Sequence, residues 1–420
     1  MANKTVHVIG GGTVSHLRTH LGLFVPAYGR AARKITQLCK EHSDKLDVEL
    51  HLTKVADPTS SIETNADLKA LVLSLVDDLR TKIVFFNAAV VDFEGQIDSI
   101  ASGKHAERLR TADVSGNPLT YGVVLTPQEK LISLFRKGGE GREPRKDIFL
   151  VGFKATAGVT AEEQYRLGLN LLKGSSANLV LANDVITRLN MIIVPEEATY
   201  AVTTDRHEAL KSLVEMAYLR SHLTFTHSTV IAGDPVAWES DLVPASLRAV
   251  VDHCIERGAY KKFRGVTAGH FAAKLDEQTF LTSRRKTDFN DMKNVGLVKV
   301  KTDGPDSVIA YGSKPSVGGQ SQRIVFTEHP DADCIVHFHC PKRVGSLVPT
   351  VSQKEYECGS HECGQNTSRG LARFGNLLAV YLDQHGPNIV FDRSVDPREV
   401  IDFIETNFEL TEKTGGYAIS

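Results

Sequence analysis

The sequence predicts an α/β protein with two differently built halves. Over roughly the first 220 residues, short apolar runs alternate with segments of helical periodicity. This alternation is typical of a parallel sheet with helices on both faces. Beyond about residue 240, shorter apolar runs follow one another with few helical segments between them. That pattern favours an α+β layout with a mostly antiparallel sheet.

Length and composition agree with two soluble domains. A chain of 420 residues is too long for one ordinary core, and we predict domains at 1–225 and 240–420. A net charge of −2 offers no basic field for nucleic acid. No apolar run is long enough for a membrane span or a secretory signal, and six cysteines do not suggest a disulfide framework. We therefore expect a cytoplasmic protein without membrane or nucleic-acid partners.

The elements of the first half follow in order. A polar stretch at 111–144 interrupts them and is predicted to be a long loop with a short helix at 128–137. The predicted strands are 6–9, 48–53, 83–86, 148–151 and 178–181. The predicted helices are 27–42, 67–80, 161–173 and 206–219.

The second half begins after an aperiodic stretch at 222–242, which contains Gly233-Asp-Pro235 and marks the boundary. The predicted helices here are 244–257, 321–328 and 397–411. The predicted strands are 266–273, 279–282, 297–302, 308–311 and 334–339.

A glycine-rich segment, Gly10-Gly11-Gly12-Thr13, directly follows the first strand. Glycine lets backbone amides approach an anion closely, so this segment predicts a nucleotide or phosphate loop. The alternative is a tight strand exit without a ligand. A nicotinamide cofactor is not favoured, because Ser15 stands where the dinucleotide fingerprint has its third glycine.

Three further segments, Asn87–Phe93, 151–155 and 181–185, follow predicted parallel strands. Such strand ends form the ligand-binding edge of a parallel sheet. The four segments in this order resemble phosphopantothenate–cysteine ligase, the synthetase part of a coenzyme A biosynthesis flavoprotein, over about residues 5–220. The resemblance implies a Rossmann-like sheet, a CTP or ATP cofactor and carboxylate–amine ligation.

By this resemblance, the glycine segment faces nucleotide phosphates and the later segments line the same mouth. The implied nucleotide- or phosphate-binding residues are Gly10, Gly11, Gly12, Thr13, Asn87, Ala88, Asp92, Phe153, Asn183 and Asp184. Two departures concern the chemistry. The family's asparagine and its Ser-Gly-Lys segment are missing from 21–29, and Arg108 and Arg110 stand in a region where the family is rich in lysine. Arginine does not replace lysine as a point charge.

Two histidines lie two residues apart in the apolar run Cys334-Ile-Val-His337-Phe-His339. Alternate residues of a strand point to one face, so these imidazoles would lie close together. A third, His385, ends another apolar run. Three imidazoles with one open position predict a catalytic site for Zn²⁺ or another divalent transition metal. The alternative is that His337 and His339 are ordinary core histidines.

These histidines belong to a longer pattern that resembles the class II aldolase and adducin family over about residues 245–412. Its most specific part is Pro330-Asp-Ala-Asp-Cys-Ile-Val-His-Phe-His339. The resemblance implies zinc held by His337, His339 and His385 and aldol-type cleavage of a small anionic substrate. Residues implied to bind the anionic group are Thr282, Ser283, Arg284 and Ser316, together with the segment Gly269-His270. Gly318 stands where the family carries its catalytic glutamate, so that acid/base is missing.

A second cluster, Glu357-Cys358-Gly-Ser-His-Glu-Cys363, follows in the sequence. Its thiols could supply a fourth metal ligand, a separate structural site or a catalytic thiol. Glu355, Glu357 and Glu362 are candidates to replace the missing glutamate. The catalytic candidates are Glu357, Cys358 and Cys363, and the alternative is two reduced thiols on a loop.

The preferred hypothesis is a two-domain metalloenzyme acting on a small anionic, phosphorylated metabolite. Its second domain would carry out zinc-assisted aldol or lyase chemistry, and its first would bind a nucleotide or phosphate. One alternative is a phosphopantothenate–cysteine ligase with a non-catalytic aldolase-like module. Another is a binding protein without catalysis, because adducins keep this fold without activity. Both resembling families form symmetric oligomers, so a homo-oligomer is expected.

Overall fold

The protein is described by a computed structural model that covers residues 3–42, 45–98, 102–316 and 319–417, with backbone only for 319–321. It separates into two compact units. Unit 1 comprises Met1–Gly158, Leu167–Ile192 and Ala201–Ser221. Unit 2 comprises Val159–Arg166, Ile193–Tyr200 and His222–Ser420. The domain boundaries drawn from the sequence stay a prediction.

The amino-terminal sheet has seven strands in the order β11-β10-β9-β8-β5-β1-β4. Strands β4, β1, β5, β8 and β9 run parallel, as predicted. The strands are β1 Thr5–Gly12, β2 Val14–Arg18, β3 Leu21–Phe24, β4 Asp47–Leu52, β5 Thr81–Ala89, β6 Phe93–Ile97, β7 Val123–Pro127, β8 Phe149–Thr156, β9 Leu179–Asp184, β10 Asn190–Ile193 and β11 Thr199–Thr203. The helices are α1 Arg30–His42, α2 Asn65–Asp77, α3 Leu134–Lys137, α4 Ala161–Ser175 and α5 Arg206–Arg220.

Burial explains why these segments take these positions. Every residue of β1 is buried, because an inner strand of a parallel sheet is covered on both faces. Strand β4 alternates between exposed and less exposed residues because it is the edge strand. Helix α2 begins at a capping box, in which Thr64 and Asp67 satisfy each other's backbone amides. Asp205 caps α5 in a similar way through its side chain.

Two hairpins of unit 1 were not predicted. Strands β2 and β3 form one, and β6 and β7 form the other. The second occupies part of the stretch 111–144, where the sequence predicted only a loop and a helix. Within the described residues each hairpin forms a two-stranded sheet of its own, and β7 is exposed throughout, so burial leaves no alternation of apolar and polar residues in β7.

The sheet of unit 2 has the order β12-β18-β17-β16-β15-β19-β23-β22-β20, with β21 paired to β22. Most pairs are antiparallel, which confirms the predicted fold class. The strands are β12 His227–Ile231, β13 Lys262–Phe263, β14 Val266–Thr267, β15 His270–Lys274, β16 Thr279–Ser283, β17 Leu297–Thr302, β18 Ser307–Tyr311, β19 Cys334–His337, β20 Thr350–Val351, β21 Ala372–Phe374, β22 Leu377–Leu382 and β23 Gly386–Phe391. The helices are α6 Ala245–Glu256, α7 Met292–Val295, α8 Gly319–Glu328, α9 His361–Gly370 and α10 Pro397–Asn407.

Three sequence predictions in unit 2 were wrong in detail. The single strand predicted at 266–273 is divided into β14 and β15, because Gly269 has a φ of +110°, outside the range of a strand. The strand predicted to reach His339 ends at His337. Cys363 does not lie on a loop: it lies in the first turn of α9, where the Ser360 side chain accepts a hydrogen bond from its amide.

None of the helices within the described ranges combines the length and the apolarity that crossing a bilayer requires. All six cysteines are free thiols.

Candidate metal centre

The three predicted histidine ligands come from two strand ends of unit 2. His337 is the last residue of β19, and His385 lies in the tight turn between β22 and β23. The turn is followed by Gly386, whose φ is +143°. A Cβ on Gly386 would lie 2.1 Å from the carbonyl oxygen of Phe338. Only glycine therefore lets this turn approach the end of β19 closely enough to bring His385 to His337 and His339.

The three imidazoles converge in the interior. The ring centroids are 4.5 Å apart for His337 and His385, 5.0 Å for His337 and His339, and 4.7 Å for His339 and His385. All three side chains are buried, and each offers one ring nitrogen within 4.8 Å of the other two. The Nε2 atoms of His337 and His385 are 3.3 Å apart. Two nitrogens bound tetrahedrally at 2.0–2.1 Å to one zinc ion would be about 3.3 Å apart.

A backbone contact orients His337. Its Nδ1 lies 2.7 Å from the carbonyl oxygen of Pro387, so Nδ1 carries the proton and donates it in a hydrogen bond. The lone pair is then on Nε2, which faces His385. Burial lowers the pKa of His337 to about 4, so the ring is neutral at pH 7. A neutral imidazole held by a hydrogen bond to its second nitrogen is the arrangement in which histidine binds metals.

A fourth imidazole adjoins the cluster. His270 pairs with His337 across β15 and β19, and their ring centroids are 4.7 Å apart. The Nε2 of His270 is buried and has no hydrogen-bond partner among the residues that the structure describes. An orphaned buried nitrogen carries a desolvation cost that a cation or a polar ligand in the same space would relieve.

The donor set and its geometry therefore fit a divalent transition metal. Among the residues that the structure describes, neither a cysteine sulfur nor a carboxylate joins the three imidazoles at this spacing. The coordination that remains open is what a catalytic, rather than a structural, zinc site keeps.

The residues predicted to bind an anion lie on and beside β16. Ser283 and Ser316 bring their hydroxyl oxygens to within 3.1 Å of each other. The Thr282 hydroxyl donates to the side-chain oxygen of Gln322 at 2.8 Å. The guanidinium of Arg284 donates to the carbonyl of Val295 and to the hydroxyl of Ser313.

Strand β15 lies between these residues and the imidazoles. In the sheet, β15 pairs with β16 on one side and with β19 on the other. Two strand spacings place the backbone of β16 about 10 Å from that of β19. The structure thus brings Ser283 and Ser316 together, two strands away from the strand that carries His337.

The three catalytic candidates near α9 differ in their burial and in their hydrogen bonds. Cys363 is buried, and its Sγ accepts a hydrogen bond from the Gln353 side chain at 3.4 Å. Cys358 is half-buried, and its backbone amide donates to Glu196 Oε1 at 2.7 Å. Glu357 is half-buried beside it. Their roles stay a prediction.

The other two acidic candidates, Glu362 and Glu355, both accept hydrogen bonds from neighbouring residues. Both oxygens of Glu362 accept the amide of Thr224, at 3.0 and 3.2 Å. Glu355 accepts the hydroxyl of Ser352 at 2.5 Å. Gly318, at the position of the family glutamate, lies outside the described residues.

The segment Ile193–Tyr200 supplies acidic residues that the sequence analysis missed. It belongs to unit 2 although it lies far earlier in the sequence. Glu196 is 3% exposed and accepts the amide of Cys358. Glu197 forms a buried ion pair with Lys413 at 2.8 Å. The next residue, Thr414, donates its amide to the carbonyl of His339, which links this buried pair to the metal centre. Only tertiary structure brings these distant segments together, so no local motif could have indicated them.

The glycine-rich segment in unit 1 is packed against its own chain. A Cβ on Gly12 would lie 1.8 Å from the carbonyl oxygen of Val25, and one on Gly10 would lie 2.3 Å from the Cβ of Ala32. The amide of Gly12 donates to Ala27 O and that of Thr13 to Ala89 O. These amides already have acceptors, so binding a phosphate through them would require these bonds to break.

The remaining residues predicted for the nucleotide lie at the carboxyl ends of β5, β8 and β9. Asn87 and Ala88 pair with Gly10 and Gly11 in the sheet. Asp92 is half-exposed and binds Lys130 at 2.5 Å. Phe153 is half-buried and pairs with Leu181 of β9, whereas Asn183 pairs with Ala155.

Asp184 ends β9 with an unusually well-satisfied carboxylate. It accepts the amides of Thr187, Gly158 and Ile186 and the hydroxyl of Thr156. Burial alone would raise the pKa of Asp184, but these hydrogen bonds outweigh it and hold the pKa well below the usual range. These hydrogen bonds hold the loop that follows β9 in place. The nucleotide site as a whole stays a prediction.

Comparison with known proteins gives a family for part of the chain. Residues 250–397 match the class II aldolase and adducin N-terminal domain. This confirms the resemblance that the histidine motif indicated. None of the curated proteins matches the chain.

Solved structures resemble each half. The DNA/pantothenate metabolism flavoprotein from Streptococcus pneumoniae is 22% identical over 51% of this chain and 97% of its own, with a TM-score of 0.39, and matches the amino-terminal half. The L-fuculose-1-phosphate aldolase from Thermus thermophilus is 19% identical over 36% of this chain and 81% of its own, with a TM-score of 0.27. It matches the carboxyl-terminal part.

Proposed function

We propose that this chain is a metal-dependent enzyme whose unit 2 cleaves or forms a carbon–carbon bond in a small phosphorylated carbonyl or hydroxy compound. The observation that carries the proposal is the convergence of His337, His339 and His385, with the 3.3 Å spacing between two of their Nε2 atoms. Zinc is the metal that this all-imidazole set favours. Once bound, it would polarise the oxygen of a carbonyl or enediolate.

The chain's own side chains support this chemistry in two further ways. The paired hydroxyls of Ser283 and Ser316 offer two adjacent donors for a phosphate group. Glu196, which accepts the Cys358 amide, and Glu357, the residue before Cys358, are the carboxylates we propose for proton transfer in place of the missing family glutamate.

The metal test compares the full chain with a His337→Ala, His339→Ala double variant. Elemental analysis after gel filtration should find one equivalent of transition metal more in the wild type than in the double variant. His207→Ala, an exposed histidine on α5, is the matched control and should bind as much metal as the wild type. Equal metal content in the double variant and the wild type would refute the proposed centre.

The activity test uses L-fuculose 1-phosphate as a first probe, because a solved relative bears the name of its aldolase. We expect metal-dependent release of an aldehyde, and Glu196→Gln and Glu357→Gln should lower kcat while the metal stays bound. Metal binding without turnover of any sugar phosphate would favour a non-catalytic binding protein. Pyrophosphate release from CTP or ATP with phosphopantothenate and cysteine would favour the ligase alternative.

A further inference from the structure

A second group of potential ligands lies in unit 1, on the adjacent strands β1 and β4. His7 belongs to β1, and Glu49 and His51 to β4. In the parallel register His7 lies opposite Glu49, and His51 follows two residues later. Residues that pair across strands, and residues two apart along a strand, point to the same face. The three side chains therefore share one face of the sheet.

Their ligand atoms form a nearly regular triangle. His7 Nδ1 is 3.0 Å from His51 Nε2 and 3.5 Å from Glu49 Oε2, and His51 Nε2 is 3.7 Å from the same oxygen. Ligands at 2.0–2.1 Å from a tetrahedral zinc ion are separated by about 3.3 Å. The mean separation in this triangle is close to that value and to the 3.3 Å between His337 and His385 in unit 2.

The surroundings orient the buried ligand and leave the site open on one side. His7 is 1% exposed, and its second nitrogen, Nε2, lies 3.4 Å from the hydroxyl of Thr81. A proton on Nε2 directed at Thr81 leaves the lone pair of Nδ1 directed at the triangle. Glu49 is 47% exposed and His51 20%, because β4 is the edge strand. A fourth position would therefore face solvent.

We propose that His7, Glu49 and His51 form a second binding site for a divalent transition metal of the zinc class. Two imidazoles and one carboxylate exclude Mg²⁺ and Ca²⁺ as the preferred ions, because these take oxygen ligands. The bound ion would join the edge strand β4 to the buried strand β1. It would stabilise the part of the sheet that packing covers least. The opposing interpretation is a plain hydrogen bond between the two histidines with a neighbouring glutamate.

The test uses the full chain carrying His337→Ala and His339→Ala, so that the centre in unit 2 contributes nothing. Titration with Co²⁺, followed by its visible absorption, should show about one equivalent bound. Adding His51→Ala should weaken Co²⁺ binding by more than about 100-fold, since even outer-shell changes cost 10–100-fold. Glu49→Gln should weaken it as well. Both residues are on the edge strand and partly exposed, so these variants should fold normally.

His20→Ala, an exposed histidine between β2 and β3, is the matched control and should leave Co²⁺ binding unchanged. Zn²⁺ should also raise the Tm of the double variant but not that of the variant lacking His51. The proposal is overturned if the double variant binds no Co²⁺, or if His51→Ala binds it as tightly as its parent. Because two of the three unit 2 ligands are absent throughout, this outcome is independent of the function proposed for that unit.

Discussion

The glycine-rich segment of unit 1 and the histidine cluster of unit 2 were both predicted as binding sites from short motifs. Of these two, only the histidine cluster has the geometry of a binding site in the structure. The three imidazoles meet with their nitrogens at ligand spacing and with one tautomer fixed by a carbonyl. The glycines instead fit tightly against Val25, Ala32 and Thr53, and the amides of Gly12 and Thr13 bond to their own chain.

The difference follows from the kind of group that each motif supplies. Imidazole nitrogens are metal donors themselves, and three that converge at ligand spacing match the donor set of a metal site. A glycine run permits another group to approach the backbone closely, but that group can be either a ligand or a neighbouring segment of the chain. Side-chain motifs are therefore the stronger predictor of a site in this chain.

The largest effect should come from Gly12→Ala. The new Cβ would meet the carbonyl of Val25 at 1.8 Å, so backbone must move, and we expect a loss of at least about 3 kcal/mol of unfolding free energy or failure to fold. Gly174→Ala, in α4 with nothing within 4 Å, is the control and should be neutral or slightly stabilising. Urea unfolding measures both. A stable Gly12→Ala that has lost only nucleotide binding would restore the phosphate-loop interpretation.

Two histidine variants should sharpen the definition of the unit 2 centre. His385→Ala removes a ligand and should weaken zinc binding by more than about 100-fold. His270→Asn changes a neighbour that lies outside the three-nitrogen group and should weaken it by less than about tenfold. Competition with a chelating dye measures both affinities. If His270→Asn proved the more damaging change, the ligand set would have to be redrawn around His270.

Thr13→Val should reveal a structural role for the residue next to the glycines. The Thr13 hydroxyl donates to Asn65 at 2.6 Å and accepts the amide of Val91 at 2.9 Å. Valine leaves both partners unsatisfied, which should cost about 1–3 kcal/mol of unfolding free energy. Thr13→Ser keeps both bonds and should cost much less. Equal stability of the two variants would show that these bonds contribute little.

The smallest effect concerns the anion residues of unit 2. Ser283→Ala removes one of two adjacent hydroxyls and should raise the KM for a phosphorylated substrate about fivefold, the value of one hydrogen bond. Zinc affinity should not change. Ser74→Ala, exposed on α2, is the control. A changed zinc affinity in Ser283→Ala would mean that β16 supports the metal centre and not the substrate.

Local sequence patterns were enough to predict many of the helices and strands of this protein. Apolar runs such as β1 and periodic segments such as α1 are dominated by burial, which leaves a direct pattern in the residues. The hairpins β2–β3 and β6–β7 were missed because few of their residues are buried: two in β2, two in β6 and none in β3 or β7. Helix α9 was missed because its residues are mostly polar and only its cap at Ser360 marks its start.

The sequence by itself determined the two sheet types and which three imidazoles are candidate ligands, because alternating burial and the residue types of a metal set are local properties. Tertiary structure alone decided that Gly386 brings a turn against Phe338, that Glu196 and Lys413 join unit 2, and that His7 meets His51. Each of these depends on contacts between segments far apart in the chain. Such contacts are set by packing of the whole fold, which leaves no periodic signal in the sequence.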